Sequence, residues 1–134
     1  GADDPHCRKP LWWKEFKFEH ETRNNFQPGA KQYDPVGFNQ AQFDWYKKLI
    51  SIRRQNPVLA TGDITFMVAE GKKLAYKRSD AGDEILVLFN LGPATQDFPL
   101  PVHANYIDLL TGKTIRGNNV RLKSLTSAIL KKIK

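Results

Sequence analysis

Asp4 and Arg8 stand close together in the polar opening stretch GADDPHCRKP, and their chemistries are complementary. A carboxylate accepts hydrogen bonds, and a planar guanidinium donates them in a fixed fork. Spacing alone leaves two readings open: a polar ligand held between them, or a salt bridge that ties the loop to itself. Asp3, Glu15, Glu19 and Glu21 lie nearby. Two carboxylates held in register are what general acid/base catalysis requires. Nothing in the sequence fixes the mutual geometry of these five, so solvated loop carboxylates are the plainer expectation. His6, Cys7 and His20 follow no metal-ligand spacing, and neither a metal nor a cofactor is assigned. Cys7 is the single cysteine, which excludes an internal disulfide.

The element that must organise such residues is Phe38 to Pro57, FNQAQFDWYKKLISIRRQNP. At about 100° per residue, Phe43, Trp45, Tyr46, Leu49, Ile50 and Ile52 fall in one half of a helical wheel. Asp44, Lys47, Lys48, Ser51, Arg54 and Gln55 fall in the other. Such an arc is wider than the stripe of a helix lying on one surface, so packing on two sides is expected. Asn56-Pro57 ends the helix, because proline lacks an N–H and disfavours α geometry in the residue before it. Arg53 interrupts the apolar half. It is expected as a buried guanidinium paired with a carboxylate; the alternative is a cation facing the helix C-terminus with its stem along apolar surface.

The 134 residues suit one ordinary domain, with the aromatic and apolar content of a globular chain. No run approaches the roughly 18 apolar residues of a membrane helix, so no membrane partner is assigned. The net charge of +7 is carried by pairs such as Lys47-Lys48, Arg53-Arg54, Lys72-Lys73 and Lys131-Lys132. They are scattered along the chain rather than gathered on one segment, which predicts solvated faces and no nucleic-acid partner.

Lys14 to Gly37 has no sustained periodicity and reads as loop, punctuated by Gln27-Pro28-Gly29 and Asp34-Pro35. After Pro57 the period changes to two. Ile64–Val68, Leu74–Lys77, Glu84–Leu91, Thr95–Leu100, Tyr106–Leu110, Thr114–Arg116, Val120–Lys123 and Ala128–Ile133 read as short strands separated by turn residues. Glu84–Leu91, EILVLFNL, is apolar on both faces and is expected at the centre of the sheet. The prolines at 99 and 101 fit an edge. The expectation is a mainly β fold: an eight-stranded antiparallel β-sandwich over 58–134, preceded by a loop-rich, single-helix part over 1–57. That first part has little to bury its helix against, which predicts a piece of a larger body.

The residues Asp4, Pro5, Arg8, Pro10 and Trp13 match a pattern, Gly-x-Asp-Pro-x-x-Arg-x-Pro-Met-x-Trp, near the last barrel strand of the α-amylase family of glycoside hydrolases. The resemblance is to its neopullulanase and cyclomaltodextrinase branch; Leu11 departs mildly from the pattern's methionine. Phe43–Pro57 resembles the family's eighth barrel helix, and Gly62-Asp63 with the strands behind it resembles its C-terminal sandwich.

The resemblance implies that residues 1–57 are the last βα loop and final helix of a (β/α)8 catalytic barrel, and that 58–134 are the C-terminal sandwich. It implies a retaining glycosidase acting on α-glucans or maltooligosaccharides in starch breakdown. Its paired carboxylates, about 5 Å apart, would lie on barrel strands upstream, and this stretch alone would be inactive. In that setting Asp4 and Arg8 bind a glucose unit on the non-reducing side of the cleaved bond, with the self-tying salt bridge as alternative. Trp12 and Trp13 wedge the loop against the barrel or stack on a sugar face. For the sandwich, a structural cap on the barrel is expected. A carbohydrate-binding module would instead expose a row of aromatics, with Tyr76, Phe89, Phe98 and Tyr106 as candidates. Without its barrel the helix leaves part of its apolar arc open, and self-association is expected.

Overall fold

The computed structural model describes residues 12–17, 21–22, 33–34, 37–102 and 104–133. The chain forms two compact units that divide between Lys47 and Lys48. In the first, a turn carries Phe16 N to Trp13 O at 3.1 Å. A two-residue ladder pairs β1 (Glu21–Thr22) antiparallel with β2 (Tyr33–Asp34). That ladder lies inside the stretch read as loop; it is too short to leave a periodic signal.

Helix α1 (Gln40–Gln55) begins where Asn39 caps it, the Asn39 Oδ1 accepting the Gln42 N–H at 3.0 Å. Arg53 and Arg54 occupy its last turn, facing the negative end of the helix dipole. After Asn56-Pro57 comes a single short turn, α2 (Val58–Thr61). Gly62 closes it. A β-carbon there would lie 2.7 Å from the Val58 carbonyl oxygen and 2.9 Å from that of Ser79, so only glycine lets the chain pass directly into the sheet.

The second unit contains eight strands, β3 (Asp63–Glu70), β4 (Lys73–Ser79), β5 (Glu84–Asn90), β6 (Gln96–Pro99), β7 (Asn105–Asp108), β8 (Thr114–Ile115), β9 (Asn119–Leu122) and β10 (Thr126–Ile133). Each falls within a residue or two of its expected range. Six form one antiparallel sheet, in the order β3-β4-β5-β10-β7-β8; β6 and β9 form a separate two-stranded ribbon. The β3–β4 hairpin turns on Gly71-Lys72, with Gly71 at φ 54°, a conformation that costs other residues strain. Pro99 sits in the ribbon, where every strand is an edge.

Strand β5 is central, as its two-faced apolar sequence predicts, between β4 and β10. Leu86 and Leu88 point to one face and pack with Phe98 and Leu122 of the ribbon, Tyr106 and Leu130. Ile85 and Val87 point to the other and pack with Val58 of α2. Asn90, fully buried at the end of β5, joins the layers. Its Nδ2 donates to the Ala94, Leu122 and Lys123 carbonyls, and its Oδ1 accepts the Gly92 N–H. Asp108, also buried, builds the turn after β7 by accepting from Leu110 N, Thr111 Oγ1 and Ile129 N. A buried polar group stays favourable only when satisfied in this way.

Two expectations about α1 require correction. Among its apolar residues only Ile52 is buried; Trp45, Tyr46 and Ile50 are 44%, 57% and 55% exposed. Among the described residues, packing on two sides is therefore not seen: that edge of α1 stays open to water. Arg53 is exposed, and its Nη1 donates to the Leu59 carbonyl at 3.0 Å instead of meeting a buried carboxylate. The carbonyl at the α2 turn takes one donor while the guanidinium stays exposed, which avoids desolvating a charge.

Asn56 makes the firmest tie between the helix end and the sheet. Buried, it donates from Nδ2 to the Ile52 carbonyl at 2.8 Å and accepts Lys131 Nζ at 3.0 Å. Lys131 also reaches Asp83 at 3.3 Å. Lys48 Nζ donates to the Leu110 carbonyl at 2.6 Å, and Arg78 Nε to the Val58 carbonyl at 3.4 Å.

Candidate functional site

Asp4 and Arg8, the candidate ligand-binding pair, lie outside the described residues, as do Asp3, His6, Cys7, Glu19 and His20. What the structure describes is the end of their loop and the helix that follows. Trp13 stacks on Phe38, with ring centroids 6.5 Å apart and planes 21° apart, and meets Phe43 edge-on at 6.1 Å. Phe38 and Phe43 are 5.3 Å apart. Lys47 Nζ lies 5.6 Å from the Phe43 ring centroid. Trp13 is thus occupied as an anchor of the helix start, although it stays 43% exposed. Trp12 is half-buried, and Glu15 is exposed.

Several carboxylates of the β unit are engaged structurally. Asp80 accepts the Gly82 and Asp83 N–H groups at 2.8 Å, which lowers its pKa, first through the Asp83 bond. Asp97 forms a two-pronged pair with Arg121 across the ribbon, at 2.8 and 3.1 Å; that bond holds the carboxyl low and the guanidinium high. Asp83 pairs with Lys131. Glu84 accepts the Tyr106 hydroxyl at 3.1 Å and lies 3.9 Å from Lys132. Burial and the Glu84 charge push the Tyr106 phenol well above its ordinary value. A general acid at a glycosidic bond needs a carboxyl raised in pKa; the two carboxyls whose acidity is displaced are displaced the other way.

A cavity of about 300 Å³ at the β4–β5 turn contains Asp80, Asp83, Glu84 and Lys132. Three carboxylates in one hollow invite a catalytic reading, but each is already committed to the turn, to Lys131 or to Tyr106. Among the described residues no group of His, Cys, Asp or Glu side chains has the arrangement of a metal site. No described helix is long and apolar enough to cross a membrane. Of the aromatics proposed for a sugar-binding face, Phe98 and Tyr106 are fully buried and cannot serve.

No model of a known protein family matches the chain. Individual proteins do. A cyclomaltodextrinase of Thermoanaerobacter pseudethanolicus is 32% identical over 133 residues, which is 98% of this chain and 20% of that protein. The chain belongs to the α-amylase family. It corresponds to a C-terminal part of these enzymes. A second cyclomaltodextrinase, from Geobacillus thermopakistaniensis, is 26% identical over 84% of the chain and 17% of its own length. An Anoxybacillus α-amylase structure superimposes with a TM-score of 0.65 at 20% identity, covering 70% of this chain and 23% of that one, a likeness of fold. The chain thus spans about a fifth of the length of the curated relatives it matches. The hydrolase and glycosidase kinship, and a C-terminal β-sandwich, follow from these relatives and from the strands described above.

Proposed function

We propose that this chain is the C-terminal portion of a retaining glycoside hydrolase acting on α-glucans, of the α-amylase, neopullulanase and cyclomaltodextrinase type, in starch or maltooligosaccharide breakdown. The observation that carries the reading is the match to a cyclomaltodextrinase along 98% of the chain. On this reading residues 1–57 are the last βα loop and final helix of the catalytic barrel, and 58–134 form the sandwich that supports it. Loops after barrel strands build the active-site face of that fold. Asp4 and Arg8 would then reach a glucose unit on the non-reducing side of the cleaved bond, the carboxylate accepting from sugar hydroxyls and the guanidinium donating to them.

The catalytic pair belongs to the remainder of the polypeptide. Retention requires a nucleophilic carboxylate and an acid/base carboxylate about 5 Å apart, and Asp80 and Asp83, two of the carboxylates in the β4–β5 hollow, are tied to the turn and to Lys131. The test is an assay of the chain alone and of the longer polypeptide that contains it, on cyclodextrins, maltooligosaccharides and starch. Turnover is expected from the longer polypeptide only. Within it, Asp4→Ala and Arg8→Ala should each raise KM, since a hydrogen bond to a charged group is worth about 1.5–3 kcal/mol. Unchanged kinetics in both would reduce the pair to loop structure.

A further inference from the structure

The two ends of the six-stranded sheet differ in chemistry. At one end three connections meet: the β3–β4 turn, the start of the β5–β6 loop and the β9–β10 turn. Asn90 fastens them from below, donating to the Ala94, Leu122 and Lys123 carbonyls. Leu91 N donates to the Lys72 carbonyl at 2.8 Å, and Leu125 N to the Gly92 carbonyl at 3.3 Å. From this frame Leu91 and Leu125 protrude, 54% and 75% exposed. Leu125 has φ 52°, a left-handed conformation that glycine or asparagine adopts with less strain than a bulky side chain. The core does not repay that strain, since Leu125 belongs to neither buried cluster. Lys72 and Lys123 stand exposed beside the two leucines, and the nearby Glu70 lies 3.9 Å from Lys73.

Strands β4, β5 and β10 run from this tip to the opposite end of the sheet, where the hollow at the β4–β5 turn lies. Ile133, 43% exposed, gives that hollow an apolar wall. Its charged lining is Asp80, Asp83, Glu84 and Lys132. Even with Lys131 paired to Asp83, carboxylates outnumber ammonium groups there.

We infer that the Leu91–Leu125 tip of one copy of the chain docks in the hollow of a second copy, head to tail. The tip protrudes, is apolar and is flanked by lysines; the hollow is recessed, has an apolar wall and carries an excess of carboxylates. Tip against tip would bring lysines together, and hollow against hollow would bring carboxylates together. Because tip and hollow occupy opposite ends of the same strands, each added copy leaves one of each free. The contact therefore propagates as a row instead of stopping at a pair. Two loop side chains bury little area, so the association is weak and exchanges rapidly.

Sedimentation velocity of this chain tests the docking, in a Tyr46→Lys/Ile50→Lys background that removes the open edge of α1 as a second contact. Species larger than a dimer are expected at concentrations up to about 1 mM, receding as salt rises from about 0.01 to about 1 M. Leu125→Gly should abolish them. It should move the thermal midpoint by no more than about 3 °C, because relief of the left-handed backbone offsets glycine's freedom in the unfolded chain. Leu125→Asn, which also tolerates that conformation, should abolish them too. Ile133→Lys should do so from the other side. Mixed together, the Leu125→Gly and Ile133→Lys chains should form a one-to-one complex and nothing larger, since one intact tip and one intact hollow remain between them. A chain that stays monomeric over this range, assemblies that neither variant reduces, or a mixture that stays monomeric would overturn the inference. So would flotation of the unsubstituted chain, but not of Leu125→Gly, with vesicles of phosphatidylglycerol and phosphatidylcholine, which would assign the tip to a lipid surface.

Discussion

Replacing Asn56 by alanine probes how the helix end is fixed to the sheet. The side chain makes one neutral hydrogen bond, to the Ile52 carbonyl at 2.8 Å, and one with the charged Lys131 at 3.0 Å. A neutral bond contributes about 0.5–1.5 kcal/mol and a charged one about 1.5–3 kcal/mol. Lys131 is 29% exposed at its side chain and keeps Asp83 at 3.3 Å, so the second contribution is discounted toward its lower end. The loss expected is about 2–3 kcal/mol, or roughly 8–24 °C in midpoint for a unit of this size. Urea unfolding at neutral pH, followed by far-UV circular dichroism, measures it. Asn56→Asp keeps an acceptor for Lys131 but cannot donate to Ile52, and should recover only part of the loss. A double-mutant cycle with Lys131→Met should show a coupling of about 1 kcal/mol. A loss below about 0.5 kcal/mol in Asn56→Ala, or strict additivity in the cycle, would show that Asn56 does not fix the helix end to Lys131 and the sheet.

Other expectations are more local. Gly62→Ala should cost about 1–3 kcal/mol, because two of the three close contacts, the Val58 and Ser79 carbonyl oxygens, are backbone atoms that cannot swing aside; an unchanged urea midpoint would contradict this. Tyr106 holds its proton in the folded state beyond its ordinary value of 10.0, so its contribution is complete below that pH and is lost as pH rises above it. Tyr106→Phe should therefore be less stable than the parent near pH 8, with the two stabilities converging above about pH 10; parallel curves would sink the assignment. Sedimentation of the isolated chain should show self-association through the exposed Trp45, Tyr46 and Ile50, weakened by Tyr46→Lys/Ile50→Lys. A monomer at all concentrations would exclude it.

Most strands after Pro57 were legible because they alternate with a period of two and are cut by turn residues, and β5 because it is apolar on both faces, as a central strand is. The caps of α1 were half legible: Asn56-Pro57 announces the end, whereas Asn39 becomes a cap only once its Oδ1 is placed on Gln42. Arg53 was misjudged because a helical wheel gives direction without depth; the arc it interrupts is open to water here. The buried bonding roles of Asn56, Asn90 and Asp108 carried no advance signal. Each looks like an ordinary loop or strand-end polar residue, and its role depends on partners such as Lys131 and Leu122 that lie far along the chain. The same holds for Ile64 and Phe66, both exposed: the alternation was visible, but which face α2 covers is a tertiary fact. For the candidate site, Asp4 and Arg8 rest on their motif alone, while the Trp13–Phe38–Phe43 cluster shows how the end of that loop meets the helix.

We propose that this chain completes a retaining α-glucan hydrolase whose catalytic carboxylates lie elsewhere in the longer polypeptide. Proton NMR of the first minutes of maltooligosaccharide or cyclodextrin hydrolysis tests it most directly, because the anomeric proton reports configuration before mutarotation. The longer polypeptide is expected to release the α-anomer first, as double displacement requires, and this chain alone to release nothing above the blank. Initial release of the β-anomer, or turnover by this chain by itself, would contradict it.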